Sequence, residues 1–299
     1  TPNSGDRVYA TYLGGNGNEQ PHSMICDAQG NLVVAGRSSS SNFPLKPAGN
    51  KLGPGGAYDI VITKFNSTGT ALIGSVRIGG SGNDGINIRA KYTGRDGDDG
   101  TRRNYGDDAR SEVILDNNNN IFLASCSQSA DFPVRNTGIQ TGFKGGSTAN
   151  PQDGVILKFS PDLSSNTFSS FFGGTGDDAC FVLSINPVTG KLYVAGATTS
   201  GDLPGNFTGV ISSSYEGGAT DGFITVVEPD GSAIIKTTYM GTPGADMLYG
   251  IQFDKFGFPY ITGTTTGTWK VVNANFSNPG SKQFISKLKP DLSDYVYST

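Results

Sequence analysis

Four times along this chain a pair of bulky residues runs into a tight glycine turn that ends in a carboxylate. The fullest copy, residues 171–196, reads FFGGTGDDACFVLSINPVTGKLYVAG. A short apolar run follows the acid, then a second turn, then another apolar run closing on Gly or Ser. Tyr12-Leu13-Gly14-Gly15, Arg77-Ile78-Gly79-Gly80, Phe171-Phe172-Gly173-Gly174 and Tyr239-Met240-Gly241-Thr242 align, with first glycines 65, 94 and 68 residues apart. A second signature travels with the first. Asp59-Ile60-Val61-Ile62-Thr63-Lys64-Phe65 matches residues 153–159 and 221–227, and residues 282–288 match it with Lys282 in place of the aspartate. A repeat of this length restricts the chain to folds that array one supersecondary unit.

Each copy holds four short apolar runs bounded by Gly, Asn, Asp or Pro, in the first copy 24–26, 32–35, 60–65 and 72–78. Gln29-Gly30-Asn31, residues 117–120 and Thr189-Gly190 supply hairpin-turn chemistry between the first two runs. No stretch keeps a helical period. Four antiparallel strands recurring roughly every 60–70 residues predict an all-β chain, a β-propeller of four-stranded antiparallel blades. A β-sandwich gives no reason for one unit to recur four times.

The chain then reads as a single propeller region, 1–299. Residues 1–21 supply a strand of a preceding or closing blade and a turn, and the blades span 22–78, 111–172, 173–240 and 241–299. Residues 79–110 form a turn with an insertion. Thr11, Val76, Ser170, Thr238 and Thr299 are equivalent, so four blades come with five copies of the outer strand. That count predicts part of a larger propeller continuing past Thr299. The alternative is a closed four-bladed ring.

Composition removes several function classes. Charged residues are 16% of the chain and the net charge of −4 is spread along it, without the clustered basic face that nucleic acid requires. No apolar run reaches the length of a membrane span, so direct membrane insertion is not expected. His22 is the one histidine, which leaves no His-based triad or metal site within these residues. Cys126 and Cys180 read either as buried thiols or as a disulfide between adjacent blades, which would place the chain in an oxidising compartment.

An acid recurs eight residues before the polar residue that closes the first strand: Glu19 before Asp27, Asp178 before Asn186, Asp246 before Asp254. In the second copy the residue at that distance from Asp116 is Asp108, so Asp84 and Asp108 read as two flanks of one turn split by 24 inserted residues. These turn acids are expected to accept backbone N–H groups, with Gly17, Gly82, Gly176 and Gly244 in the left-handed backbone region. A catalytic acid is needed once; four equivalent acids point to structure. Calcium is the one cofactor these residues suggest, held by turn carboxylates or by Asp96, Asp98, Asp99 and Asp108 of the insertion, although Asp96-Gly97-Asp98-Asp99-Gly100 breaks the EF-hand spacing. Arg89, Arg95, Arg102 and Arg103 lie beside those acids. They read as ion-pair partners in a surface loop or as contacts for a polar ligand, with Trp269 either a hydrophobic plug or a sugar-stacking platform. The Ser/Thr-rich stretches 38–41 and 198–200 read as solvated loops or as polar ligand contacts.

Residues 9–15, 25–36, Phe43-Pro44 and 59–65, and their counterparts along nearly the whole chain, resemble the SBBP family, a bacterial β-propeller repeat. Residues 249–254 (YGIQFD) and 283–288 (QFISKL) look like the propeller of large gliding-motility-associated surface proteins exported by the type IX secretion system. The resemblance implies an extracellular, cell-surface module with a structural or adhesive role. Its implied partners are other domains of the same large protein and a protein or glycan ligand. A carboxylate-based hydrolase or lyase on the loop face, or a calcium-dependent lectin, is the competing reading.

Overall fold

The computed structural model describes residues 9–85, 111–146, 151–278 and 280–299, and among them every regular element is a β-strand. The strands form four antiparallel sheets in chain order. The first holds β1 (Glu19–Cys26), β2 (Leu32–Ser38), β4 (Asp59–Phe65) and β5 (Leu72–Ile78), with the two-residue β3 (Lys51–Leu52) parallel to β5 on its outer side. The second holds β6 (Glu112–Leu115), β7 (Ile121–Ser127), β8 (Asp153–Phe159) and β9 (Asn166–Phe172). The third holds β10 (Asp178–Ile185), β11 (Leu192–Thr198), β12 (Asp221–Val227) and β13 (Ile234–Met240). The fourth holds β14 (Asp246–Phe253), β15 (Pro259–Thr265), β16 (Gln283–Leu288) and β17 (Tyr295–Ser298).

The polar residue at the end of each first strand makes the hairpin. Asp27 Oδ1 accepts the Gln29 and Asn31 N–H groups at 3.0 and 2.8 Å, and Asp116 Oδ1 does the same for Asn118 and Asn120 at 2.9 and 2.8 Å. The turn is completed by left-handed Gly30 (φ 79°) in the first sheet and Asn119 (φ 61°) in the second.

Successive sheets pack face to face. β6 lies against β1 and β2, β10 against β6, β7 and β8, and β14 against β10, β11 and β12. Three apolar cores fill these junctions. Ile62 and Val33 of the first sheet meet Val113 and Leu157 of the second; Ile156 and Phe122 meet Leu183; Ile224 and Tyr193 meet Ile251. Strands β4, β7, β11 and β12 are therefore buried on both faces, whereas β16 alternates exposed and buried. Each fully buried Ile, Leu or Phe contributes about 1.5–3 kcal/mol. The lower edge of two junctions is pinned as well: Lys64 Nζ donates to the Pro161 carbonyl and Lys158 Nζ to that of Pro229, both at 3.0 Å.

Three first strands carry a bulge at the same place: between Pro21 and Ser23, between Cys180 and Val182, and between Leu248 and Gly250. In the second sheet Asp84 bridges Ser127, the Gly85 N–H donates to the Cys126 carbonyl, and the strand resumes with Glu112 opposite Ala124. The insertion thus leaves from the bulge position of the first strand, and it does not split the glycine turn as its spacing suggested. Asp84 holds the turn-acid place. Asp108, with Arg89, Arg95, Arg102, Arg103, Asp96, Asp98 and Asp99, lies outside the described residues.

Excising residues 87–110 joins Ile86 to Ser111 and restores an eight-residue first strand like β1, β10 and β14. The shortened chain is expected to keep one cooperative thermal transition near that of the parent, because loop length changes closure entropy by only about 0.6 kcal/mol per doubling. Loss of that transition by circular dichroism would show the segment to be part of the fold.

Candidate functional site

The turn acids are built into one arrangement by four elements. The Gly80 N–H donates to Asp84 Oδ2 at 2.8 Å and the Gly174 N–H to Asp178 Oδ2 at 2.7 Å. Hydroxyls from the end of the second strand complete each acid: Ser127 and Ser129 donate to Asp84, Thr198 and Ser200 to Asp178, Ser38 and Ser40 to Glu19. Ser40, Ser129 and Ser200 also accept the N–H of Gly17, Gly82 and Gly176 at 2.7, 2.9 and 2.8 Å, so each relays between turn and acid. In the fourth sheet Gly267 stands where the serine would be. Thr242, within the turn, takes over, accepting the Gly244 N–H at 3.0 Å and donating to Asp246 at 2.7 Å.

The Ser/Thr stretches 38–41 and 198–200 are thus committed to this network. The following connections are tied in too: Asn42, Asp131 and Asp202 each accept an N–H from the glycine turn, from Asn16, Ser81 and Thr175 at 2.7, 2.7 and 2.8 Å. Gly17, Gly82, Gly176 and Gly244 are not among the left-handed glycines. They are required by close approach instead. A Cβ on Gly176 would lie 2.8 Å from the Thr199 carbonyl carbon, and one on Gly82 2.6 Å from the Gln128 oxygen.

The structure adds a second acid to each junction, from the first residue of the third strand in the preceding sheet. A Cβ on Gly173 would sit 2.5 Å from Asp153 Oδ1 and 2.6 Å from Asp178 Oδ2, so the two carboxylates flank a glycine that has no room to be anything else. Asp59 and Asp84 flank Gly79 in the same way, and Asp221 lies against Gly241, beside Asp246. The third-strand acids take their own backbone donors, Gly56 for Asp59 at 3.0 Å and Lys144 for Asp153 at 2.7 Å. The sequence signal was the recurring aspartate itself and its loss at Lys282, in the last sheet of the series.

All six of these aspartates are fully buried. Burial is the largest influence on each shifted one. It pushes Asp178 up to about 8, Asp153 and Asp221 to about 7 and Asp84 to about 6, and Asp246 also upward; hydrogen bonds oppose it in every case. At Asp84, hydrogen bonds from Ser127, the Gly80 N–H and Ser129 oppose the burial, while neighbouring Asp59 adds to the rise. Within the first sheet Arg77 pairs with Asp59, a place that Phe171 takes in the second. Oδ1 of Asp153, of Asp221 and of Asp246 has no hydrogen-bond partner, so burial falls on these oxygens without a donor to offset it. At Glu19, burial raises the pKa, but hydrogen bonds from Ser40, Ser38 and Gly15 outweigh it and hold the group below the usual value. The six aspartates present no carboxylate to solvent.

Trp269 is core. Its ring stacks on Phe284 at 3.5 Å between centroids, and Nε1 donates to Ser286 and Ser298 at 3.2 and 3.0 Å, so it offers no face for a sugar. Cys126 and Cys180 meet across the second junction as buried thiols with no disulfide between them, the Cys180 N–H directed at the Cys126 sulfur. No family model and no curated protein matches the chain.

Each of the raised aspartates holds its proton more tightly folded than unfolded. Stability from these groups is therefore fully present below the ordinary carboxylate range and is lost as pH rises through about 6 to 8. Thermal midpoints are expected to fall between pH 5 and pH 9. Asp153→Asn, which keeps an acceptor for Lys144 and turns the partnerless oxygen edge into a neutral amide, should raise the midpoint at pH 8 by about 2–4 °C. At pH 5 it should change little. A parent midpoint that rises with pH over this range would contradict the upward shifts of these buried acids.

Proposed function

We propose that the chain is a non-catalytic β-propeller module of a bacterial surface protein, its four sheets being consecutive blades of a larger ring, and that its loop face contacts a protein or glycan partner. The observation that carries the reading is the threefold recurrence of one junction, in which the first strand of each sheet crosses the face of the sheet before it. The glycine turns, the junction acids and the connections at Asn42, Asp131 and Asp202 gather at one end of the sheets. A closed four-bladed ring is less well supported, because Met24 of the first sheet and Ile285 of the last are 71% and 52% exposed. The cell-surface location and the adhesive role rest on the resemblance of the repeat motifs.

The raised carboxylates are what a hydrolase or lyase would need. Here they sit in separate junctions at equivalent positions, without access to solvent. That favours a structural task over a chemical one.

The labelled chain is expected to bind saturably to intact bacterial surfaces or to one member of an immobilised polysaccharide panel, with Asp153→Asn and Asp178→Asn binding as the parent does. It is expected to release no product from glycoside, ester or uronate substrates. Turnover that both aspartate variants abolish would replace this reading with the enzyme.

A further inference from the structure

Residues 9–13 are the fifth copy of the fourth-strand sequence, yet they belong to no strand. They already lie where a fourth strand of a preceding sheet belongs. Inside the chain, the fourth strand of one sheet touches the turn between third and fourth strands of the next: Gly74 abuts Leu163 and Phe168 covers Gly231. Tyr9 covers Gly69, the same turn of the first sheet. The turn that follows is equally complete, with the acid of Glu19 packed against Gly14. What is lacking is a sheet to pair with. Tyr12 is 103% exposed, whereas its equivalents Arg77, Phe171 and Tyr239 are buried.

An independent observation comes from β1. Val113, Leu183 and Ile251 each enter the core formed with the preceding sheet, and each is buried. Met24 holds their register position and is bare. Pro21 and Cys26, on the same face, are exposed where Cys180 and Leu248, and partly buried Ile185, pack inward.

We propose that residues 9–13 and the row Pro21, Met24 and Cys26 form an acceptor for one further sheet of this repeat, which contributes a first, second and third strand and takes residues 9–13 as its fourth. This rests on the propeller reading and specifies one of its junctions. The occupant's chemistry follows from the junctions present. Its second strand carries a small residue at the position of Ala35, Ala124 and Ala195, and its third strand an Ile at that of Ile62, Ile156 and Ile224, to receive Met24. Its third strand opens on an aspartate that faces Glu19, as Asp59 faces Asp84. A second copy of the four-sheet chain does not meet these terms, because its last sheet already owns β17 and presents Thr262 in the alanine position.

The test copies residues 173–233, the turn and first three strands of the third sheet, in front of residue 7 of the full chain. Hydrogen exchange of the 9–13 amides is expected to slow at least about tenfold toward the values of β5. Peroxide oxidation of Met24 is expected to slow by about the same factor toward that of buried Met240. Met24→Asp in the extended chain should restore fast exchange at 9–13. Unchanged rates at both places, or a copied segment that gains no protection, would overturn the proposal. So would a parent chain that dimerises at high micromolar concentration with Met24 protected, since a second copy would then be the occupant. Loss of the acceptor leaves the binding and turnover results above untouched, so the two readings fail separately.

Discussion

A carboxylate enters a protein interior only with donors or a proton to neutralise it, and this fold places two carboxylates at every junction between sheets. One arrives on the glycine turn and the other on the third strand of the preceding sheet. Between them the backbone passes through a glycine too crowded for any side chain. The donors that satisfy the acids come from the turn, from the end of the second strand and from the connection before the third. Fixing the acids therefore fixes the relative placement of all these pieces, and apolar packing below them needs only to fill the space that results.

The repeat, the all-β character and the turn acids Glu19, Asp178 and Asp246 were legible because each recurs at a fixed place in the sequence. The second acid was visible as a recurring start to three third strands, but pairing it with the next turn required knowing that β4, β8 and β12 begin beside the following sheet. A subtler trace also existed. Glycine becomes threonine at 242 in the same copy in which serine becomes glycine at 267, an exchange that keeps one hydroxyl in the relay. Two readings failed for physical reasons. Spacing alone placed the insertion in the turn, since counting backward from Asp116 cannot see a bulge, and glycines credited with unusual dihedral angles were in fact making room for neighbouring backbone.

Variation between junctions shows how much latitude the design has. Arg77 neutralises Asp59 in the first, while aromatic residues at the same place leave the second and third to a proton. Sequence can thus exchange a fixed positive charge for a titratable one without changing the register of any strand, and the junctions then differ in how tightly they hold at a given pH.

A bulge already gives up the pairing of one residue. Lengthening the chain at that point leaves every hydrogen bond on either side in register. His22, Phe181 and Tyr249 occupy the corresponding place in the other sheets. The bulge is thus the place in the first strand where this array has taken up added sequence, while at the same place elsewhere Phe181 and Tyr249 stack on one another across adjacent sheets.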